Sequence, residues 1–152
     1  MNKKAFYTEL HRDLSALITG EPDLIATFAN ASALLFERLE AVNWAGFYLL
    51  QGDVLVLGPF QGKIACTRIP VGRGVCGTAV KENRIQRIDD VHQFEGHIAC
   101  DSASNAEIVL PVYQGNNIIA VLDIDSTVFG RFDSDDQHGL ENIAALLSQH
   151  IS

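Results

Sequence analysis

Three cysteines offer the first residues in this chain that could do chemistry. They are Cys66, Cys76 and Cys100, an odd number that cannot form a closed set of disulfides. In a reducing compartment such thiols are inert packing residues, metal ligands or redox groups. Cys76 precedes a predicted helix, whose N-terminus could lower its pKa, or it is simply buried and inert. Cys100 lies in a polar segment, which favours exposure and reactivity.

Three acidic residues form the second group, and all fall within β-rich segments. Asp123 and Asp125 share one face of a predicted strand because side chains alternate along it, and Glu107 lies on the preceding strand. Acids are depleted in strands, so they occupy either a solvated face or a buried cluster. In a cluster their charges would repel, and at least one carboxyl group would keep its proton near neutral pH. Such a group could act as a general acid.

Two further patterns have both an ordinary and a functional interpretation. Trp44 and Tyr48 face the same side of a predicted strand, where they either fill the core or line a binding site. Gly72, Gly74 and Gly77 have the G-x-G-x-x-G spacing of dinucleotide sites. The helix that follows is short and no strand-helix-strand unit surrounds it, so we favour a turn-forming loop.

A zinc site is a weaker alternative. The side chains of His92, His97 and Cys100 could supply three ligands. However, the cysteines do not have the paired spacing typical of zinc sites. We therefore predict no resident metal.

Composition and net charge exclude several classes of protein and of binding partner. The 152 residues are 47% hydrophobic and 20% charged, which predicts one folded domain over residues 1–152. The net charge of −8 argues against nucleic acid and anionic membranes as partners. No apolar run approaches the length of a membrane span, and the N-terminus does not resemble a signal peptide. We interpret the protein as cytoplasmic.

The order of predicted elements indicates an α+β fold. A helical hairpin occupies the first forty residues, with its second helix starting near Glu21 and Pro22. Strands are predicted at 44–50, 53–57, 65–69, 85–88, 107–113 and 118–125, with a short helix at 78–82 and a closing helix after Asp133. Adjacent hairpins favour a mainly antiparallel sheet covered by helices. The polar segment 89–105 is predicted to be a long functional or mobile loop.

Five segments together resemble one known family. They are Asn43-Trp44-Ala45-Gly46-Phe47-Tyr48, Gly58-Pro59-Phe60-Gln61-Gly62, Pro70-Val71-Gly72-Arg73-Gly74-Val75-Cys76-Gly77, Gly96-His97-Ile98-Ala99-Cys100-Asp101 and Leu122-Asp123-Ile124-Asp125-Ser126. They are similar to the free methionine-(R)-sulfoxide reductases, a GAF-domain family. The cysteine spacing distinguishes this family from an ordinary GAF module. The resemblance implies a GAF-like, six-stranded, mainly antiparallel sheet with helices on its faces, in a homodimer.

The resemblance also implies roles for individual residues. Cys100 matches the family's nucleophile, Cys66 its principal resolving cysteine and Cys76 an auxiliary cysteine. Trp44 and Tyr48 match the wall that holds the substrate's methyl group. Glu107, Asp123 and Asp125 match the acids that bind the sulfoxide oxygen and the ammonium group, with Glu107 and Asp125 counted as catalytic.

This implies a reaction without a bound cofactor. Cys100 would attack the sulfoxide sulfur while a protonated acid donates to oxygen, leaving a sulfenic acid that condenses with Cys66. Thioredoxin would reduce the disulfide with electrons from NADPH through thioredoxin reductase, and the activity would protect against oxidative stress. The two Cα atoms must come within about 7 Å, or a loop must move. A sensory GAF module that binds a small ligand is the main alternative.

Overall fold

The computed structural model describes residues 2–98 and 103–152. These residues form four α-helices, one short 3-10 helix at Val91–Gln93 and six strands. The helices are α1 (Lys3–Ile18), α2 (Leu24–Arg38), α3 (Gly74–Glu82) and α4 (Ser134–Ile151). The strands are β1 (Trp44–Gln51), β2 (Val54–Gly62), β3 (Arg68–Pro70), β4 (Gln86–Ile88), β5 (Ala106–Gln114) and β6 (Asn117–Ser126).

All six strands belong to one antiparallel sheet with the order β3-β2-β1-β6-β5-β4. The two Gly-containing turns of the sequence connect the strands of the hairpins β1-β2 and β5-β6. The two hairpins form one sheet because β6 pairs with β1. The predicted α+β fold with a six-stranded antiparallel sheet is confirmed. None of the described helices has the length and apolar character needed to cross a membrane.

The two faces of the sheet have different covers. Ala45 and Phe47 of β1 belong to the larger core, which α1, α2 and α4 contribute to, and Phe28 of α2 stacks on Phe47 with ring centroids 4.0 Å apart. Trp44 and Tyr48 alternate with them and belong to a smaller cluster that includes Cys76 of α3. The period of two along β1 therefore places its aromatic pair on the face that α3 covers.

Several predicted boundaries were wrong by a few residues. Helix α2 begins at Leu24 and not near Pro22, because the Asp23 side chain accepts a hydrogen bond from the backbone N–H of Ala26 at 2.9 Å and caps the helix. Strand β2 continues to Gly62, well beyond the predicted 53–57. Helix α3 begins at Gly74, earlier than the predicted start at Thr78, so that Cys76 lies inside it.

The glycine-rich segment is a tight turn, as favoured above. The backbone N–H of Gly72 donates to the carbonyl of Gly77 at 2.9 Å. A Cβ on Gly77 would lie 2.5 Å from the carbonyl oxygen of Pro70, so only glycine lets α3 pack this closely on β3. The turn thereby presses the first residues of α3 against the sheet.

Hydrogen bonds to the buried Asp136 carboxylate connect the N-terminal end of α4 to α1. Asp136 accepts hydrogen bonds from Lys3 Nζ at 2.7 Å, from Tyr7 Oη at 2.7 Å and from Arg131 at 3.2 Å. Asp133 and Asp136 also form a reciprocal capping box. Because Lys3 and Tyr7 lie on α1, this network joins the two ends of the chain.

Candidate active site

Two neighbouring strands bring the acidic residues together, and a third places Trp44 beside them. In the sheet register Trp44 of β1 lies beside Asp125 of β6, which lies beside Glu107 of β5. Asp123, two residues before Asp125, occupies the next row on the same face. The predicted shared face of Asp123 and Asp125 is confirmed, and the interpretation of a solvated face is wrong for Glu107 and Asp123, which are 7% and 5% exposed.

The acids are close enough to share protons. Glu107 lies within side-chain hydrogen-bonding reach of both Asp123 and Asp125. Two carboxyl groups at this separation form a hydrogen bond only if one of them is protonated, so the cluster holds at least one proton. One oxygen of Asp123, Oδ1, is buried and receives no hydrogen bond from the residues that the structure describes.

The proton is favoured on Glu107. Burial raises the pKa of Glu107 well above its usual range, and the charges of Asp123 and Asp125 raise it further. Burial also raises the pKa of Asp123, but hydrogen bonds from Glu107 and Cys76 act in the opposite direction. The shared proton is therefore favoured on Glu107 over Asp123.

Cys76 is a buried free thiol at the edge of the acid cluster. Its Sγ lies 3.9 Å from Oε2 of Glu107. Burial raises the pKa of Cys76, and the charge of Asp123 adds to the effect. The alternative that a helix N-terminus lowers this pKa is therefore wrong: Cys76 is a neutral thiol, which is a poor nucleophile.

Trp44 and Tyr48 form an aromatic wall beside the acids. The Trp44 ring stacks between Tyr48 and Phe60, with centroid distances of 5.9 and 5.1 Å. Trp44 Nε1 donates to the carbonyl of Lys63 at 3.1 Å, and Tyr48 Oη donates to the carbonyl of Cys66 at 2.9 Å. Because both polar groups are used by the backbone around Cys66, Trp44 and Tyr48 present apolar ring surface to the cavity that they line.

These groups line one partly open cavity of about 40 Å³. Of the residues predicted for the site, it is lined by Trp44, Tyr48, Cys76, Glu107, Asp123 and Asp125. Cys66 is half-buried and packs against the apolar cluster around the same cavity. Cys100 lies outside the described residues, so its role and its distance to Cys66 stay predictions.

Sequence analysis named His97 only as a possible zinc ligand and gave no role to Ser104, although both line the cavity. It also gave no role to Phe60, which stacks on Trp44. His97 is the one basic side chain among the described lining residues, and burial lowers its pKa, so that the ring is neutral and can donate one N–H. The sequence feature that could have identified His97 as a site residue is its position three residues before Cys100, the predicted nucleophile. His92, weighed above as a zinc ligand, instead lies 2.8 Å from Asp90 through Nδ1.

The cavity thus combines a proton donor, a buried carboxylate oxygen without a donor among the described residues, and an apolar wall. Such a site suits a small zwitterionic molecule that has one apolar group and an oxygen to be protonated. Phosphate-bearing ligands do not fit it, because the three acids would repel their charge.

Comparison with known proteins gives the same picture. The family described as GAF domain matches residues 26–152. The chain is 66% identical to a protein of Escherichia coli (strain K12) named free methionine-R-sulfoxide reductase, an alignment that covers 100% of this chain and 92% of the relative.

Two solved structures are similar along nearly the whole chain. One is the reduced form of fRMsr of Staphylococcus aureus, with a TM-score of 0.94, 50% identity and coverage of 96% of this chain and 95% of that one. The other is free methionine-R-sulfoxide reductase from Neisseria meningitidis in complex with its substrate, with a TM-score of 0.95, 40% identity and coverage of 99% and 91%.

Proposed function

Because the chain belongs to the free methionine-(R)-sulfoxide reductases, a family of GAF domains, we propose that it reduces free L-methionine-(R)-sulfoxide to L-methionine. The observation that supports this most directly is the buried acid cluster beside the aromatic wall. The cluster supplies both a proton for the sulfoxide oxygen and an acceptor for the ammonium group of a free amino acid.

The ammonium group is the feature that selects a free amino acid. Oδ1 of Asp123 is buried without a donor among the described residues, and an ammonium N–H would satisfy it. A methionine residue inside a protein has an amide at this position, which carries no charge. The same carboxylate that binds the free substrate therefore disfavours a protein-bound one.

The substrate carboxylate needs a different environment. Gly74 and Val75 at the start of α3 line the cavity, together with His97, and in the described structure Arg73 makes no side-chain cap to the helix. The free backbone N–H groups of a helix N-terminus attract anions. We place the substrate carboxylate between these N–H groups and the His97 ring.

Reduction then needs a sulfur nucleophile and a proton donor. The Cys100 thiolate attacks the sulfoxide sulfur while Glu107 gives its proton to the oxygen. The oxygen passes to Cys100, methionine leaves, and Cys100 becomes a sulfenic acid. Asp125 lies beside Glu107 in the register, and its charge raises the pKa of Glu107, which keeps on Glu107 the proton that it donates.

Recovery of the thiol uses the second cysteine. Cys66 attacks the Cys100 sulfenic acid, releasing water and forming a disulfide, and a thioredoxin dithiol reduces this by exchange. Thioredoxin reductase and NADPH supply the electrons, and no cofactor is bound. The hydrogen bond from Tyr48 to the carbonyl of Cys66 links the substrate wall to the resolving cysteine. Cys76, with its raised pKa, has only an auxiliary role.

The cellular setting is part of the same proposal. We expect a cytoplasmic homodimer that protects against oxidative stress, since a reducing compartment supplies the thioredoxin dithiol. Light scattering on the purified protein measures the oligomeric state.

The test is turnover of separated R and S forms of free methionine sulfoxide with thioredoxin, thioredoxin reductase and NADPH. We expect NADPH oxidation with the R form alone, and none with Cys100→Ser. Equal rates for both forms, or unchanged turnover in the serine variant, would contradict the proposal. Tight nucleotide binding without turnover would instead support a sensory GAF module.

A further inference from the structure

Three potential metal ligands lie close together in the lining of the cavity. The ligand atoms of Cys76, Glu107 and Asp123 all lie within 4.8 Å of one another, and all three residues are buried. They come from three different elements, α3, β5 and β6, so the rigid sheet and the tightly packed helix hold the arrangement.

The spacing is close to what a small tetrahedral ion requires. Zinc binds thiolate sulfur at about 2.3 Å and carboxylate oxygen at about 2.0–2.2 Å, so that neighbouring ligand atoms stand roughly 3.5 Å apart. Sγ of Cys76 and Oε2 of Glu107 are 3.9 Å apart. Rotation of the Glu107 side chain would close the remaining gap.

A second observation indicates that a cation would be favoured here. Asp123 is 5% exposed, lines the cavity, and its Oδ1 receives no hydrogen bond from the described residues. A buried carboxylate oxygen without a donor is costly, and a bound cation removes that cost. Lys and Arg are absent from the described lining residues, so no side-chain cation competes for the position.

We propose that a thiophilic divalent cation, Zn²⁺ or Cd²⁺, binds Cys76, Glu107 and Asp123 and thereby blocks the cavity. The cysteine ligand favours these ions over Mg²⁺ and Ca²⁺, which prefer oxygen ligands alone. Water from the cavity that these three residues line would complete the coordination. The ion is an inhibitor and not a resident cofactor.

The inhibitory consequence rests on the proposed function, whereas metal binding does not. Glu107 and Asp123 cannot coordinate a metal and contact the sulfoxide oxygen and ammonium group at once. Metal and substrate therefore exclude each other, and an excess of zinc would switch off the reductase without oxidising a cysteine.

The experiment isolates Cys76 as the sole thiol in a Cys66→Ser, Cys100→Ser double variant. Titration with Cd²⁺ is followed through the ultraviolet charge-transfer absorbance of the cadmium–thiolate bond, with Zn²⁺ as competitor. We expect saturation at one ion per chain and at least tenfold weaker binding after Asp123→Asn or Glu107→Gln. The matched control Asp53→Asn, at an exposed acid, leaves the affinity unchanged.

Two results would overturn the proposal. Absence of the signal in the double variant, or equal affinity in Asp123→Asn and Asp53→Asn, would show that the three residues do not form a metal site. If cadmium binds but free methionine sulfoxide does not displace it, the exclusion of substrate by metal is wrong. Both readouts are made without turnover, so they are separate from the NADPH assay that tests the reductase activity itself.

Discussion

Two buried aspartates of this chain have opposite environments. Asp136, 1% exposed, accepts hydrogen bonds from the cationic groups of Lys3 and Arg131 and from the Tyr7 hydroxyl. Asp123, 5% exposed, is surrounded by Glu107, Asp125 and the Cys76 thiol, and its Oδ1 lacks a donor among the described residues. One buried acid is fully partnered by cations, and the other faces further acids.

The difference separates a structural acid from a functional one. Transferring a charged group from water costs several kcal/mol, and the partners of Asp136 offset that cost within the folded chain. Among the described residues, no Lys or Arg side chain offsets this cost for the cluster around Asp123. The cluster is tolerated because bound protons reduce the repulsion between its carboxylates and because the surrounding core stabilises the fold. Buried acids left in this state supply or accept protons and charge during a reaction.

Loss of the proton donor should have the largest effect. Replacement Glu107→Gln keeps the size of the side chain and removes the acidic proton. We expect turnover of free methionine-(R)-sulfoxide to fall by about 10² to 10⁴-fold, the contribution of a general acid. The thioredoxin-coupled assay measures it, with circular dichroism to verify the fold. A rate within threefold of the parent would remove Glu107 from the mechanism.

The next largest effect is structural and falls on the other acid. In Asp136→Asn the groups of Lys3 and Arg131 lose their buried charged partner, so we expect the free energy of unfolding to fall by about 3 kcal/mol. Urea denaturation measures this change, and the KM of the folded fraction stays unchanged. Asp133→Asn, at a more exposed partner of Lys3, is the control and should cost less than about 1 kcal/mol.

The matched substitution in the functional cluster should have the opposite sign. Asp123→Asn removes the like-charge repulsion between Asp123 and Asp125, so stability at pH 8 should rise or stay level. The same variant loses the ammonium acceptor, and we expect KM to increase about tenfold or more. A loss of stability as large as that of Asp136→Asn would mean that the two acids do not differ as described.

The pH dependence of stability sharpens the comparison. Burial raises the pKa of Glu107 and Asp123, so above the ordinary carboxyl range near about 4 the folded chain holds protons that the unfolded chain has lost. Stability from this cluster is therefore present at low pH and falls as pH rises, by up to about 1.4 kcal/mol per pH unit for one proton. Denaturation from pH 5 to 8 should show a flatter profile in Glu107→Gln.

The smallest expected effect is at His97. The variant His97→Gln keeps a donor, and His97→Ala removes it, so we expect a threefold to tenfold higher KM only in the alanine variant, with little change in kcat. Equal KM values in both variants and the parent would move the substrate carboxylate away from this ring.

Strand periodicity explains how much of the site could be predicted. Asp123 and Asp125 share a face in any strand, so their association needed only the correct register. Phe60 was missed because β2 runs beyond its predicted end, and the partners of Asp136 were missed because Lys3 lies 133 positions away. Local patterns identify which face a residue takes, whereas contacts between distant segments depend on tertiary packing.

Infrared difference spectroscopy at pH 7 tests the central claim, a proton retained on the buried acids, most directly. We predict a carbonyl band of a protonated carboxyl group in the parent protein that disappears in Glu107→Gln and persists in Asp136→Asn. If the parent protein shows no such band, the acids are all ionised, and they cannot protonate the sulfoxide oxygen as described.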